Sequence, residues 1–124
     1  MALVFRHLQP LSDDDKAKLA AFAEAEGFSI FLQPGGIDSV HPLTGDAPQL
    51  SFRLPQWDIE LSFRPLDFIQ VNAKLNEAMI ARALELLDVQ PGERVLDLFC
   101  GLGNFTLPLA RASGDGEVVG VEGD

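Results

Sequence analysis

Val95-Leu96-Asp97-Leu98-Phe99-Cys100-Gly101-Leu102-Gly103-Asn104 is the stretch that decides the fold. Residues 94–99 read as a short, mostly apolar strand suited to burial on both faces. Cys100 to Gly103 is a glycine loop, and a helix starts at Asn104 or Phe105 and runs to about Ala112. Ser113-Gly-Asp-Gly116 is a turn, and residues 117–122 form the next strand. Upstream, Asn72 caps a helix from about Ala73 to Leu87, in which Leu75, Met79, Ala83, Leu86 and Leu87 recur with the 3.6-residue period. Helix, strand, glycine loop, helix, strand is the opening of a doubly wound α/β sheet.

A strand that ends in Gly-x-Gly and feeds a helix brings backbone close to a ligand, because glycine adopts conformations closed to other residues. In such folds the ligand lies beyond the carboxyl ends of the strands. Glu122 ends the following strand, 19 residues after Gly103, where a carboxylate can accept from the two hydroxyls of a ribose. The chain therefore predicts a nucleoside pocket. The dinucleotide pattern needs a third glycine, and Thr106 stands in its place. Asp97, four residues before Gly101, would repel a pyrophosphate and attract an ammonium. S-adenosyl-L-methionine (SAM) has an ammonium, a sulfonium and a ribose but no phosphate, so the charges favour it. The plain alternative is a structural tight turn in some other α/β protein.

The first half reads differently. Ser12 followed by Asp13, Asp14 and Asp15 starts a helix, with Leu19, Ala20, Phe22 and Ala23 on one face and Gly27 as its stop. Residues 28–33 read as a strand, Pro34-Gly35-Gly36 as a turn, and 37–48 as mostly loop with a short strand near Val40. Gln49 to Leu54 is a second strand, and Ile59, Leu61 and Phe63 alternate with polar residues as in a half-buried antiparallel strand. Residues 1–67 are thus expected to be a small α+β subdomain with an antiparallel meander, and 68–124 the N-terminal part of a Rossmann-like domain with a truncated sheet. His7 and His41 lack partners in sequence and are expected to be structural or surface residues.

Composition narrows the function classes. At 47% apolar and 23% charged, this is an ordinary globular chain, with no apolar run long enough for a membrane span and no signal-peptide pattern. One cysteine can form neither an internal disulfide nor a metal cluster, and a reducing cytoplasm is the expected compartment. A net charge of −10 argues against a self-sufficient nucleic-acid-binding module. The chain closes just after a buried strand, which is the pattern of an excised piece. A half-built sheet with an open edge is expected to be weakly stable or to self-associate.

Two stretches resemble a known family. Residues 68–76, Phe-Ile-Gln-Val-Asn-Ala-Lys-Leu-Asn, and residues 96–110, Leu-Asp-Leu-Phe-Cys-Gly-Leu-Gly-Asn-Phe-Thr-Leu-Pro-Leu-Ala, are similar to the RNA uracil-5-methyltransferases. Within that family they resemble most the branch that makes 5-methyluridine in 23S ribosomal RNA. The tRNA branch has Gln-Pro-Asn and Tyr-Cys-Gly-Asn-Gly where this chain has Gln70-Val71-Asn72 and Phe99-Cys100-Gly101-Leu102-Gly103. The likeness is close over residues 60–124. Over 1–59 it is looser, resting on the order of elements and on Arg6-His7 and Pro10-Leu11-Ser12.

The resemblance implies that Gln70, Phe99, Asn104 and Glu122 contact SAM, beside the Asp97, Gly101 and Gly103 read from the loop itself. Each has a plainer alternative: Gln70 a loop residue, Phe99 core, Asn104 a helix cap. In the family a cysteine thiolate adds to uracil carbon 6, carbon 5 takes the methyl, and a base removes the carbon 5 proton so that the cysteine leaves. The resemblance puts that cysteine, its base glutamate and an Asp-Pro-Pro-Arg-like loop after residue 124. It puts 4Fe-4S cysteines and a small RNA-binding β-barrel before residue 1. It gives this chain no catalytic residue and no metal ligand, and makes Cys100 inert. Ribosomal RNA would be bound mostly by parts outside the chain, with no membrane partner; Arg6, Arg53 and Arg64 could touch its backbone, but a solvated face is the expected reading for them. The competing readings are a tRNA or other SAM-dependent methyltransferase, and a non-catalytic α/β binding domain.

Overall fold

The computed structural model describes residues 1–123. They form a mixed α/β chain of two compact units. One comprises Met1–Leu50 with Phe63–Asp67, the other Ser51–Ser62 with the described residues from Phe68 onward.

The first unit is built on β1 (Ala2–Arg6), α1 (Asp13–Glu26), β2 (Ser29–Gln33) and a two-residue strand, β3 (His41–Pro42). Helix α1 begins as its residues dictate. Ser12 accepts from the Asp15 amide at 3.1 Å, while the Asp15 carboxylate accepts from the Ser12 amide at 3.0 Å. Gly27, with φ of +66°, ends it. Strand β2 is central: β1 pairs with it in parallel, Ala2 opposite Ser29, and β3 pairs antiparallel, His41 opposite Leu32. Hence Ile30, Phe31 and Leu32 are buried on both faces of the strand.

Here the structure departs from the expected meander. Ala2–Arg6 is a strand, and with α1 it makes a parallel β–α–β crossover. The pairing partners lie 27 residues apart with a helix between them, so no local pattern could announce it.

The second unit contains β4 (Leu50–Leu54) and β5 (Ile59–Phe63) except for their end residues Leu50 and Phe63, the two strands being joined through a single 3-10 turn at Pro55–Trp57. A connection that short permits only an antiparallel pair. The expected boundary at residue 67 would put this ribbon in the first unit. Its inward side chains place residues 51–62 in the second, because Leu54, Ile59 and Leu61 form one core cluster with Ile80.

Ile80 belongs to α2 (Ala73–Leu87), capped by Asn72, whose side chain accepts from the Leu75 amide at 3.0 Å. The apolar stripe expected on this helix is not its inner face. Leu75, Met79, Leu86 and Leu87 are exposed, while Asn76, Ile80 and Leu84, spaced four apart, turn inward.

Then come β6 (Arg94–Leu98), α3 (Thr106–Ser113) and β7 (Glu117–Val121), with β6 and β7 parallel and Asp97 opposite Gly120. Sequence suggested burial on both faces of β6. Among the described residues one face of this pair is half-buried, and the other shows Leu96, Leu98, Val119 and Val121 to solvent. No helix among the described residues is long and apolar enough to cross a membrane.

Gly116 immediately precedes β7, where backbone meets backbone. A Cβ on it would lie 2.2 Å from the Glu93 carbonyl oxygen. Gly116→Ala is therefore expected to destabilise the chain by about 3 kcal/mol, at the upper end for an overpacked site. Gly36→Ala, with nothing within 4 Å of the added carbon, should change little. Urea midpoints measure both, and equal midpoints would refute the close approach.

Candidate functional site

Phe99 leaves β6 with φ of +60°, a left-handed conformation that is costly for a bulky residue. Its side chain is 86% exposed, so core packing does not account for the strain. Among the described residues Phe99 is therefore not part of the core. The loop then folds over the ends of both parallel strands. The Cys100 amide donates to the Val121 carbonyl at 3.1 Å, and the Gly103 amide to the Cys100 carbonyl at 3.0 Å. Gly101 and Gly103 have φ of +55° and +94°, values that explain the glycines without reference to any ligand.

Glu122 grips this loop. One carboxylate oxygen accepts from the Gly101 amide at 2.7 Å, the other from the Gly123 amide at 2.8 Å. These two amides, Gly123 first, hold the carboxyl below the usual glutamate range. Each oxygen has a second lone pair, so the group can still accept from a ligand.

Asp97 points to the helix side. Its Oδ2 accepts from the Thr106 hydroxyl at 2.5 Å, which joins β6 to the start of α3. Gly120 lies alongside, and a Cβ there would sit 2.9 Å from Cys100 Sγ and 3.2 Å from Thr106 Cγ2. Cys100 Sγ itself faces the Gly101 carbonyl at 3.8 Å.

Gln70, Phe99, Gly101 and Asn104 line one hollow of about 160 Å3. Asp97, Gly103 and Glu122 are outside its lining, and Glu122 reaches it only through Gly101. Phe52 and Phe68 line it too and were missed from sequence. Phe52 had a signal in the alternation of Leu50, Phe52 and Leu54, but nothing local tied that strand to the loop. The cap reading of Asn104 also fails. Helix α3 starts at Thr106, and the Asn104 amide pairs with that of Asn76 at 2.8 Å in both directions.

The two histidines lie in the first unit. His7 Nδ1 hydrogen-bonds the Gln9 carbonyl at 2.7 Å, and His41 Nδ1 the Ser39 carbonyl at 2.9 Å. Arg53 and Arg64 are exposed and face Glu60 at 3.6 Å and Asp67 at 2.9 Å. Among the described residues no three His, Cys, Asp or Glu side chains are grouped to hold a metal.

With this geometry in hand, the family likeness is decisive: residues 44–115 match the tRNA (uracil-5-)-methyltransferase family. The chain belongs to that family. All of its residues align at 69% identity with the 23S rRNA (uracil(1939)-C(5))-methyltransferase RlmD of Xanthomonas campestris pv. campestris, and at 68% with that of Stenotrophomonas maltophilia. It spans 28% of the length of those relatives. Among solved structures, 99% of the chain superposes on 29% of the Pyrococcus abyssi tRNA (uracil-54, C5)-methyltransferase in complex with S-adenosyl-L-homocysteine. The TM-score is 0.64 at 19% identity, a shared fold.

The grip of Glu122 on the loop has a pH signature. A carboxyl whose folded pKa is depressed contributes its interaction above the ordinary range and loses it as pH falls through the depressed value. In an NMR titration the Gly101 and Gly123 amide resonances are expected to hold still through the usual glutamate range and move together only below it. Glu122→Gln should abolish that step. Movement at the ordinary glutamate pH would refute the contact.

Proposed function

We propose that this chain serves SAM-dependent methylation of uracil carbon 5 in 23S ribosomal RNA, and that its second unit is the start of a Rossmann-like SAM domain holding half of the cofactor site. The observation that carries the cofactor half is the hollow that gathers Gln70, Phe99, Gly101 and Asn104 next to the Glu122-held loop. Ordinary cofactor pockets begin near roughly 300 Å3, so a hollow of about 160 Å3 suits part of such a ligand, the rest being enclosed by residues other than these.

The fit is chemical as well. Glu122 has acceptor capacity left for ribose hydroxyls beyond its two amide bonds. Asp97 spends Oδ2 on Thr106, and Oδ1 is the atom to meet an ammonium. The exposed ring of Phe99 offers an apolar face for a nucleobase. Asp97 and Glu122 both discourage a pyrophosphate. When bound, SAM supplies an electrophilic methyl group on a sulfonium. On this reading the residues here bind and orient, and Cys100, which also lines the hollow, is not the nucleophile. Cys100 packs against Gly120 within the cofactor loop, in keeping with an inert thiol. A 4Fe-4S cluster does not fit this chain, which has one cysteine where such a cluster takes four.

The rRNA substrate rests on the relatives at 69% and 68% identity. The second reading, a tRNA substrate, is favoured by the description of the family and by the P. abyssi neighbour. At −10, the chain repels phosphate, so RNA affinity should come mainly from basic surface elsewhere in the protein.

Calorimetry with SAM against NADH tests the cofactor half, and tight NADH binding with none for SAM would overturn it. Phe99→Gly should leave fold stability within about 1 kcal/mol, since glycine relieves the left-handed strain, yet weaken SAM binding. Transfer of labelled methyl to 23S rRNA and not to tRNA by a full-length protein carrying these residues tests the substrate. The 124-residue chain alone is expected to transfer none.

A further inference from the structure

Asn76 is 3% exposed, and both polar atoms of its side chain are spent on one residue. Its Nδ2 donates to Asn104 Oδ1 at 2.8 Å, and its Oδ1 accepts from Asn104 Nδ2 at 2.8 Å. The partners are 28 residues apart, one in the first turn of α2 and the other in the glycine loop. A reciprocal amide pair has a property that a single hydrogen bond lacks. Turning one amide alone sets oxygen against oxygen and nitrogen against nitrogen, so the pair keeps one relative orientation and two bonds hold the side chains together.

Asn104 lines the hollow with Gln70, and Gln70 precedes the α2 cap, Asn72, by two residues. Asn76 does not line it. One turn further along α2, Ile80 has no exposed surface, and Leu102 and Phe105 pack against the cluster it belongs to. The loop is thus held by apolar contact at residues on either side of Asn104 and by an oriented polar contact at Asn104 itself.

We infer that Asn76 is a positioning residue for the cofactor site: through two hydrogen bonds it holds the Asn104 side chain against α2, and so fixes where the Asn104 amide meets the ligand. This rests on the cofactor reading above. A purely apolar residue at position 76 could fill the same space but would leave the Asn104 amide unpaired and free to turn over.

The test uses a full-length protein carrying these residues, with Asn76→Leu, which keeps the branched shape without its polar atoms, and Asn76→Asp, which keeps one bond and sets an oxygen against Asn104 Oδ1. Ile30→Val, in the core of the first unit, serves as a control that lowers stability without touching the pair or the lining of the hollow. Both Asn76 variants are expected to weaken SAM about tenfold, the low end for removing an outer-shell partner, with kcat at saturating SAM and KM for RNA within about twofold of the unaltered protein. Ile30→Val should lower the thermal midpoint and leave SAM affinity alone. SAM affinity unchanged in the Asn76 variants, or lowered equally in Ile30→Val, would overturn the inference while the cofactor reading stands. Failure of the unaltered protein to bind SAM would instead sink both.

Should the variants not fold, the unaltered protein still decides. The Asn76 side-chain amide protons should exchange slowly and shift when SAM is added, although Asn76 does not line the hollow. Amide protons that exchange freely and stay unmoved would refute the pair.

Discussion

The contact around Ile80 is the one on which the candidate site depends. Three segments distant in sequence meet there: the β4–β5 ribbon through Leu54, Ile59 and Leu61, helix α2 through Ile80, and the glycine loop through Leu102 and Phe105. Full burial of one such side chain is worth about 1.5–3 kcal/mol. Its larger effect is geometric. A loop with residues 99, 101 and 103 at positive φ has few local constraints of its own, and apolar packing on both sides of Asn104 holds it against a helix instead of leaving it to solvent.

On that base the polar contacts act as settings. Glu122 draws the Gly101 amide to the end of β7, the Thr106 hydroxyl ties Asp97 to α3, and the paired amides tie the loop to α2. Close approach at Gly120 leaves no room for a side chain between β7 and the loop. The surface ion pairs, by contrast, are solvated: Arg82–Glu85 and Arg94–Glu117 are exposed on both sides, and pairs of this kind contribute little. The chemistry of the site is therefore that of acceptors and oriented amides with a negative bias. Such a site suits a ligand that carries positive charge and hydroxyls better than one that carries phosphate.

The first unit shows how non-local pairing escapes a sequence reading. Ala-Leu-Val-Phe-Arg is a plausible strand by composition, but a five-residue apolar run at a chain end has no intrinsic partner. Its partner, β2, becomes visible only when α1 returns the chain in parallel. The antiparallel ribbon was legible from its alternation, whereas its allegiance to the second unit was not. Alternation says that one face is buried; it does not say against what.

Local chemistry in the sequence determined the helices and their caps at Ser12 and Asn72, the β6–loop–α3–β7 order, and the family likeness. Each of these depends on neighbours within a few residues, which is the range over which side chains compete for backbone groups. Tertiary structure decided the parallel β1–β2 pair, the place of the ribbon, the inner face of α2, and the partners of Asn104 and Phe52. The stripe expected on α2 is made of apolar residues, and Asn76 is not one of them. An asparagine becomes a core residue only when another amide satisfies both of its polar atoms, and that partner lay 28 residues away.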